Sequence, residues 1–428
     1  MTVRRPAHTA GDEGTGGGVA RAVRRGNNLD SVRMHNLSTV LTIAHHVGPV
    51  SRSDVTRETG LNRSTIGALV GELVELGLVT ESGPNANLRV GRPSPVISPN
   101  PRIAALAVNP EVDAVTVGLV GLDGRVQQRR RVAVDHVPSP EEAVDAAAAA
   151  IAGIIETASV DHIAGVGVAV PGLVRQSDGL VRRAPHLGWV DVPFAKLLTD
   201  AVSLPVAAAN DAQLGAYAEH VFGAGVGVSE LIYVNGGSSG IGGGVILGGA
   251  AFTGAAGHAG ELGHVWVSAS DAVDSGGLAG TLEAEVSRAR LLSLLGLESI
   301  DADGLARAIL ASDDPRVRAE VRRQLELLGV ALGTALTLFN PSLVVLGGFL
   351  GTIYQADGAV LDRAVARATL PETLEGVQIT RTRLGSDILL VGAAELAFEP
   401  LLTDPASLAT AEAAEAAGGG ASFDAPAS

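Results

Sequence analysis

The sequence predicts two unlike parts in one chain, a small helical unit with a β wing and a larger α/β domain. Helical apolar spacing broken by a glycine turn marks residues 27–98. From Ile103 to about Leu402 strand-like runs alternate with helical ones, the pattern of an α/β domain. Charge divides the same way: residues 1–100 balance at +3 and the remainder at −18, within a total of −15. A basic recognition module on an acidic body produces such asymmetry.

Length and composition exclude several classes. At 428 residues, 46% apolar and 18% charged, the chain is globular and can bury a large core. Its longest apolar runs, Ile163–Val170 and Val245–Ala251, are too short to span a bilayer. No secretory apolar segment follows Arg4-Arg5. Without cysteine there is neither a disulfide nor a thiolate metal site, so a cytoplasmic address is expected. Residues 1–26 and 404–428, rich in Gly and Ala, are expected to be a disordered arm and tail around domains at 27–98 and 99–403.

In the first domain Leu37, Val40, Leu41, Ala44 and Val47 share one helical face. Ser51 and Asp54 have capping-box spacing and open a second helix, Ser53–Thr59, before the turn Gly60-Leu61. Asn62 can cap a third helix whose buried stripe is Ile66, Leu69, Val70, Leu73 and Leu76. This is the helix-turn-helix pattern. The outward face of the third helix carries Ser64, Gly67, Ala68 and Gly71. A glycine inside a helix costs about 1 kcal/mol relative to alanine, and close approach to a groove floor is a plausible compensation. Glu72 and Glu75 would repel phosphates. Only the N-terminal half is therefore expected in the major groove, with Asn62, Arg63, Ser64 and Thr65 contacting bases or phosphates. Leu78–Glu81 and Val96–Ser98 can pair as a wing whose Arg89 and Arg92 suit phosphate or minor-groove contact. The competing reading is a small dimerisation domain with solvated arginines.

The large domain has an internal echo: near Ala104–Val134 and again near Leu231–Thr253 a strand turns and returns as a second strand. It also carries ordered motifs. They are Val170-Pro171-Gly172-Leu173, Pro185-His186-Leu187-Gly188-Trp189, Ala209-Asn210-Asp211-Ala212, Gly240-Ile241-Gly242-Gly243-Gly244 and Ala259-Gly260-Glu261-Leu262-Gly263-His264. Asn340-Pro341 and Val344-Val345-Leu346-Gly347-Gly348 follow. Over about residues 27–402 the series resembles the ROK family of repressors, open reading frames and sugar kinases. Asn36, Gly60-Leu61 and Gly91-Arg92-Pro93 match its DNA-binding repressor branch.

The resemblance implies a two-lobed, actin-like ATPase (ribonuclease H-like) fold holding a sugar in its cleft. It places sugar contact at Asn210, Asp211, Glu261, His264 and Glu283. Carboxylates, an amide and an imidazole suit hydroxyl groups that both donate and accept. In kinase members the residue matching Asp211 accepts a hydroxyl proton as general base. The implied partners are a double-stranded DNA operator, a small sugar effector and further copies of the chain, as a dimer or a dimer of dimers. No cofactor is implied.

Two departures matter. Kinase members cradle ATP phosphates on an Asp-x-Gly-Gly-Thr turn, whereas this chain reads Val108-Asn109-Pro110-Glu111-Val112-Asp113. Both glycines are gone, Pro110 removes an amide donor, and Glu111 adds negative charge. Two like unit charges ~4 Å apart repel by about 4 kcal/mol at an effective dielectric near ~20, roughly three orders of magnitude in affinity. The expectation is no enzyme, with Gly240–Gly244 kept as a tight inter-strand turn. Second, many relatives follow the Gly-His with three zinc-binding cysteines; here those positions hold Asp274, Gly276 and Thr281. His264 and Asp274 are too few for a zinc site, no metal is expected, and the hold on His264 is in question. Two other readings stay open: an active sugar kinase with a DNA-binding domain, kept alive by Asp211, and a regulator driven by a protein partner.

Overall fold

The structure, a computed structural model, describes residues 29–83, 94–237, 240–298, 300 and 302–408. Arg89 and Arg92 lie outside the described residues, as do most of the arm and tail.

The N-terminal unit runs α1 (Leu29–Val47), β1 (Val50–Ser51), α2 (Arg52–Thr59), α3 (Arg63–Glu75), β2 (Val79–Ser82) and β3 (Val96–Pro99). Local signals set its boundaries. Ser51 caps α2 by accepting from the Asp54 amide at 3.1 Å, Gly60 ends it in the left-handed region, and Asn62 caps α3 by accepting from the Thr65 amide at 2.9 Å. Ile66, Leu69, Val70 and Leu73 are buried in one cluster with Leu37, Val40, Leu41 and Ala44. Val47, although in phase with that face, is 59% exposed. It is the last residue of α1, where the chain turns away from the core at Gly48. The antiparallel pair β2–β3, in register from Val79 opposite Pro99 to Ser82 opposite Val96, forms the expected wing, and β1 joins its other edge.

The first lobe contains β4 (Ile103–Pro110), β5 (Ala114–Gly121), β6 (Val126–Ala133), α4 (Pro140–Ile155), β7 (His162–Val170), β8 (Leu173–Arg175), β9 (Leu180–Ala184), β10 (Trp189–Val192), α5 (Phe194–Val202) and β11 (Val206–Asn210). The second holds α6 (Asp211–Phe222), β12 (Leu231–Gly237), β13 (Gly240–Leu247), β14 (Ala250–Ala251), α7 (Leu282–Glu285), α8 (Arg288–Leu295), α9 (Ala302–Ala311), α10 (Pro315–Phe339), β15 (Leu343–Gly347), α11 (Gly348–Ala368), α12 (Pro371–Leu374), β16 (Gln378–Arg381) and α13 (Ile388–Thr403). The main sheets run β11-β7-β4-β5-β6 and β14-β13-β12-β15-β16. Counted within each lobe, both read 3-2-1-4-5 with the second strand reversed. The echo in the sequence is thus a repeated sheet topology, and the fold is the two-lobed actin-like one. Among the described residues no helix is long and apolar enough to cross a membrane.

Two helices cross between the lobes. α6 leaves the first lobe after β11 and packs on β12 and β13, while α13 leaves the second after β16 and packs on β4 and β7. They also pack on each other. Their approach depends on Gly392, where an added Cβ would lie 2.4 Å from the Leu214 carbonyl oxygen. α13 in addition touches α1 of the N-terminal unit. Beyond α13 the chain tucks Leu408 into the core.

Candidate functional site

One cavity of about 380 Å³ gathers all five residues assigned to sugar contact, Asn210, Asp211, Glu261, His264 and Glu283. It lies at the lower end of the roughly 300–1,000 Å³ range of small-molecule sites. Strand ends and helix starts build it: β11 ends at Asn210, α6 begins at Asp211, and Glu283 sits in the first turn of α7.

The five side chains differ in what they leave free. Asn210 caps α6, accepting from the Gln213 amide at 2.9 Å and donating to the Gly172 carbonyl at 3.0 Å. Glu283 is similarly spent. One oxygen accepts from the Ile241 amide at 2.9 Å and the other from the Ser275 amide at 3.1 Å and hydroxyl at 2.5 Å. Burial disfavours its charge, but the nearby His186 and these donors outweigh burial and hold the pKa at about 2. Both therefore fix the walls. Asp211, Glu261 and His264 keep atoms open to the cavity.

Asp211 has its pKa pushed up to about 7, chiefly by burial and further by the charges of Glu261 and Glu111. One of its oxygens accepts from the Ala212 amide at 2.8 Å. Glu261 is also raised, first by burial, with His264 opposing and Glu283 reinforcing. His264 points Nε2 toward Glu261, 3.9 Å away.

The hold on His264 comes from Asp274. Nδ1 of the ring donates to Asp274 Oδ2 at 2.7 Å, which also accepts from the Thr281 hydroxyl at 2.7 Å. The second Asp274 oxygen accepts from the Leu278 amide at 2.9 Å. The Asp274 side chain is fully buried. A buried carboxylate thus orients the ring from a position where relatives are expected to use metal. His186 also lines the cavity, its Nε2 3.9 Å from Glu283 Oε1. Sequence reasoning quoted His186 within a motif without giving it a role.

The segment Asn109–Glu111 lines the same cavity. Asn109 is buried and donates to the Ala169 carbonyl at 2.9 Å. The Glu111 amide is consumed by the Ala114 carbonyl at 2.7 Å, and Pro110 has none, so neither residue offers the cavity an amide. Burial raises the pKa of Glu111, with the Thr116 hydroxyl and Arg131 opposing. Ser238 and Ser239 lie outside the described residues. Gly240 opens β13 at φ +97°, and a Cβ there would meet Glu283 Oε2 at 2.1 Å.

On the N-terminal unit, Asn62, Arg63 and Ser64 are exposed and Thr65 is half-buried. Asn62 Oδ1 also accepts from the Ser64 hydroxyl at 2.6 Å. Ser64, Gly67, Ala68 and Gly71 form a low face. Nothing lies within 4 Å of a Cβ added at Gly71. Glu72, expected to repel phosphate, is paired with Arg33 at 2.8 Å.

The family model for ROK matches residues 106–399, more than half of the chain. The chain belongs to the ROK family. A xylose repressor of Caldicellulosiruptor bescii is 27% identical over 326 residues, covering 71% of this chain and 81% of that protein. A crystal structure of a ROK family transcriptional regulator, homolog of the E. coli MLC protein, superposes with TM-score 0.72 over 87% of this chain and 97% of the other. At 23% identity that likeness shows the shared fold. A ROK family glucokinase from Streptomyces griseus, solved with glucose and AMPPNP, is 28% identical with TM-score 0.59, covering 69% of this chain and 99% of its own.

Proposed function

We propose that this ROK protein is a transcriptional repressor of sugar-metabolism genes, reading double-stranded DNA and binding a sugar between its lobes without phosphorylating it. One observation carries the reading: the cavity joins free hydroxyl-binding atoms on Asp211, Glu261 and His264 to a segment in which Pro110 has no amide hydrogen and the Glu111 amide is already bonded. The likeness to a named xylose repressor across most of both chains supports it. A DNA reader of this kind works in the cytoplasm.

Coupling follows from α6. It starts at Asp211 in the cleft and ends at Phe222, whose ring packs edge-on against His45 of α1 with centroids 5.4 Å apart. A helix of 12 residues spans about 18 Å. Closing the lobes on a sugar shifts α6 against α13, and α13 carries α1. The reader is thereby re-aimed, which couples the two sites by population shift. Two chains present two α3 helices to half-sites spaced by a helical turn, so light scattering should give at least a dimer mass; a monomer would remove that element.

A second reading, sugar kinase, has one observation behind it. A carboxylate with its pKa near 7 is poised as a general base. Calorimetry with a panel of pentoses and hexoses, run beside an ATP-consumption assay, separates the two. Sugar binding without ATP turnover supports repression; turnover lost in Asp211→Asn supports the kinase.

Two further results are expected. Asp274→Ala frees the His264 ring and should weaken sugar binding about tenfold by calorimetry, with the fold retained. Among the described residues Arg63 makes no ion pair, so Arg63→Ala should weaken specific DNA binding by about 1–3 kcal/mol while barely changing binding to random DNA. Equal losses on both would contradict a base-reading role.

A further inference from the structure

Where α1 of the reader meets α13, His45, His46 and Glu395 bring ligand atoms within 4.8 Å of one another. His45 Nδ1 faces the Leu122 carbonyl. A carbonyl only accepts, so this nitrogen carries the hydrogen and donates. The ring's Nε2 is thereby aimed at the Glu395 carboxylate, 2.9 and 3.1 Å from its two oxygens. A backbone carbonyl accepting from one imidazole nitrogen is what orients metal-binding histidines; the other nitrogen donates a proton to Glu395, and a metal would take that proton's place.

An ion pair between His45 and Glu395 accounts for two of the three groups. It leaves His46 unexplained. His46 Nε2 is buried without a hydrogen-bond partner and lies 3.9 Å from Glu395 Oε2. His220 Nδ1, on the adjoining α6, is likewise buried and unpartnered. Phe222 and Phe398 wall the cluster, with centroids 5.4 and 5.6 Å from the His45 ring.

We propose that His45, His46 and Glu395 form a divalent transition-metal site that pins the reader to the sugar-kinase-like domain. Two imidazoles and a carboxylate suit Zn²⁺ or Co²⁺, with a fourth position left for water. Bonds of about 2.0–2.2 Å set ligand atoms roughly 3.3 Å apart, so His46 must approach Glu395 by about 0.6 Å from its present 3.9 Å and settle at a like distance from His45, from a starting separation within 4.8 Å. The site lies away from the cavity between the lobes and stands whether or not that cavity binds sugar. It differs from the zinc loop expected of relatives, whose cysteine positions this chain has replaced. A bound metal would tie α1 to α13, against which α6 packs.

The test uses the full chain stripped with EDTA and titrated with Zn²⁺ by calorimetry, then with Co²⁺ by visible absorption. The expected result is one metal per chain and a four-coordinate Co²⁺ spectrum. His46→Gln, which breaks no hydrogen bond of the ring nitrogen Nε2, should weaken Zn²⁺ at least tenfold with an unchanged circular-dichroism melt; Glu395→Gln should weaken it as well. His264→Gln should leave it unchanged. Absence of stoichiometric binding, binding indifferent to both junction substitutions, or binding lost in His264→Gln overturns the proposal.

Discussion

Asp211→Asn is expected to lower sugar affinity by about a hundredfold or more while making the protein more heat-stable at pH 8. The carboxylate is held where burial and two neighbouring acids oppose its charge, so its folded pKa of about 7 stands above the ordinary 3.8. A raised pKa means the folded state holds the proton more tightly than the unfolded chain. The favourable contribution is complete below about 4 and is lost as pH rises through 7. Asparagine does not titrate and escapes that penalty. Tm at pH 8 should rise by about 2–4 °C, allowing for the side chain's opening to the cavity. This gain should shrink as pH falls toward 4. Binding should move the other way, because an ionised carboxylate accepts sugar hydroxyls in charge-assisted bonds that an amide cannot match. For the wild-type chain, calorimetry should show affinity rising severalfold between pH 6 and pH 8. A variant that binds sugar normally would remove Asp211 from the site.

Gly71→Glu is expected to weaken DNA binding by about a thousandfold without unfolding the protein. The position is helical, and an added Cβ meets nothing within 4 Å, so the isolated chain tolerates it. Against DNA the same side chain places bulk and negative charge on the low face at the mouth of the groove, one turn beyond Gly67. Gly71→Ala separates the two effects. It should raise stability by about 0.5–1 kcal/mol through helix propensity while still weakening DNA binding. Full DNA affinity in both variants would mean that another face of α3 does the reading.

What could be read from the sequence was local. Ser51, Gly60 and Asn62 act on neighbours within four residues, so the caps and turn of the reader follow from spacing. The motif around Asp211 marked the right strand end. It could not show that Asn210 spends its amide on Gly172, nor that Glu283 is consumed by Ile241, because those partners lie 38 and 42 residues away. The loss of cysteines after His264 was visible, but its replacement by a buried Asp274 clamp depends on how the loop folds back. The burial that raises the Glu111 pKa likewise cannot be seen along a chain. The contact between His45 and Glu395, 350 residues apart, is further still from any sequence signal.

On the proposed function the cleft speaks to the reader and not to a phosphate. Fluorescence anisotropy of the full chain on DNA that it has selected from random sequence, with pentoses and hexoses added one at a time and no nucleotide present, decides the matter. One sugar should shift the DNA Kd by about 5–150-fold, and Asp211→Asn should abolish that shift. A DNA affinity indifferent to every sugar, alongside steady conversion of one of them to its phosphate ester when ATP is supplied, would contradict it.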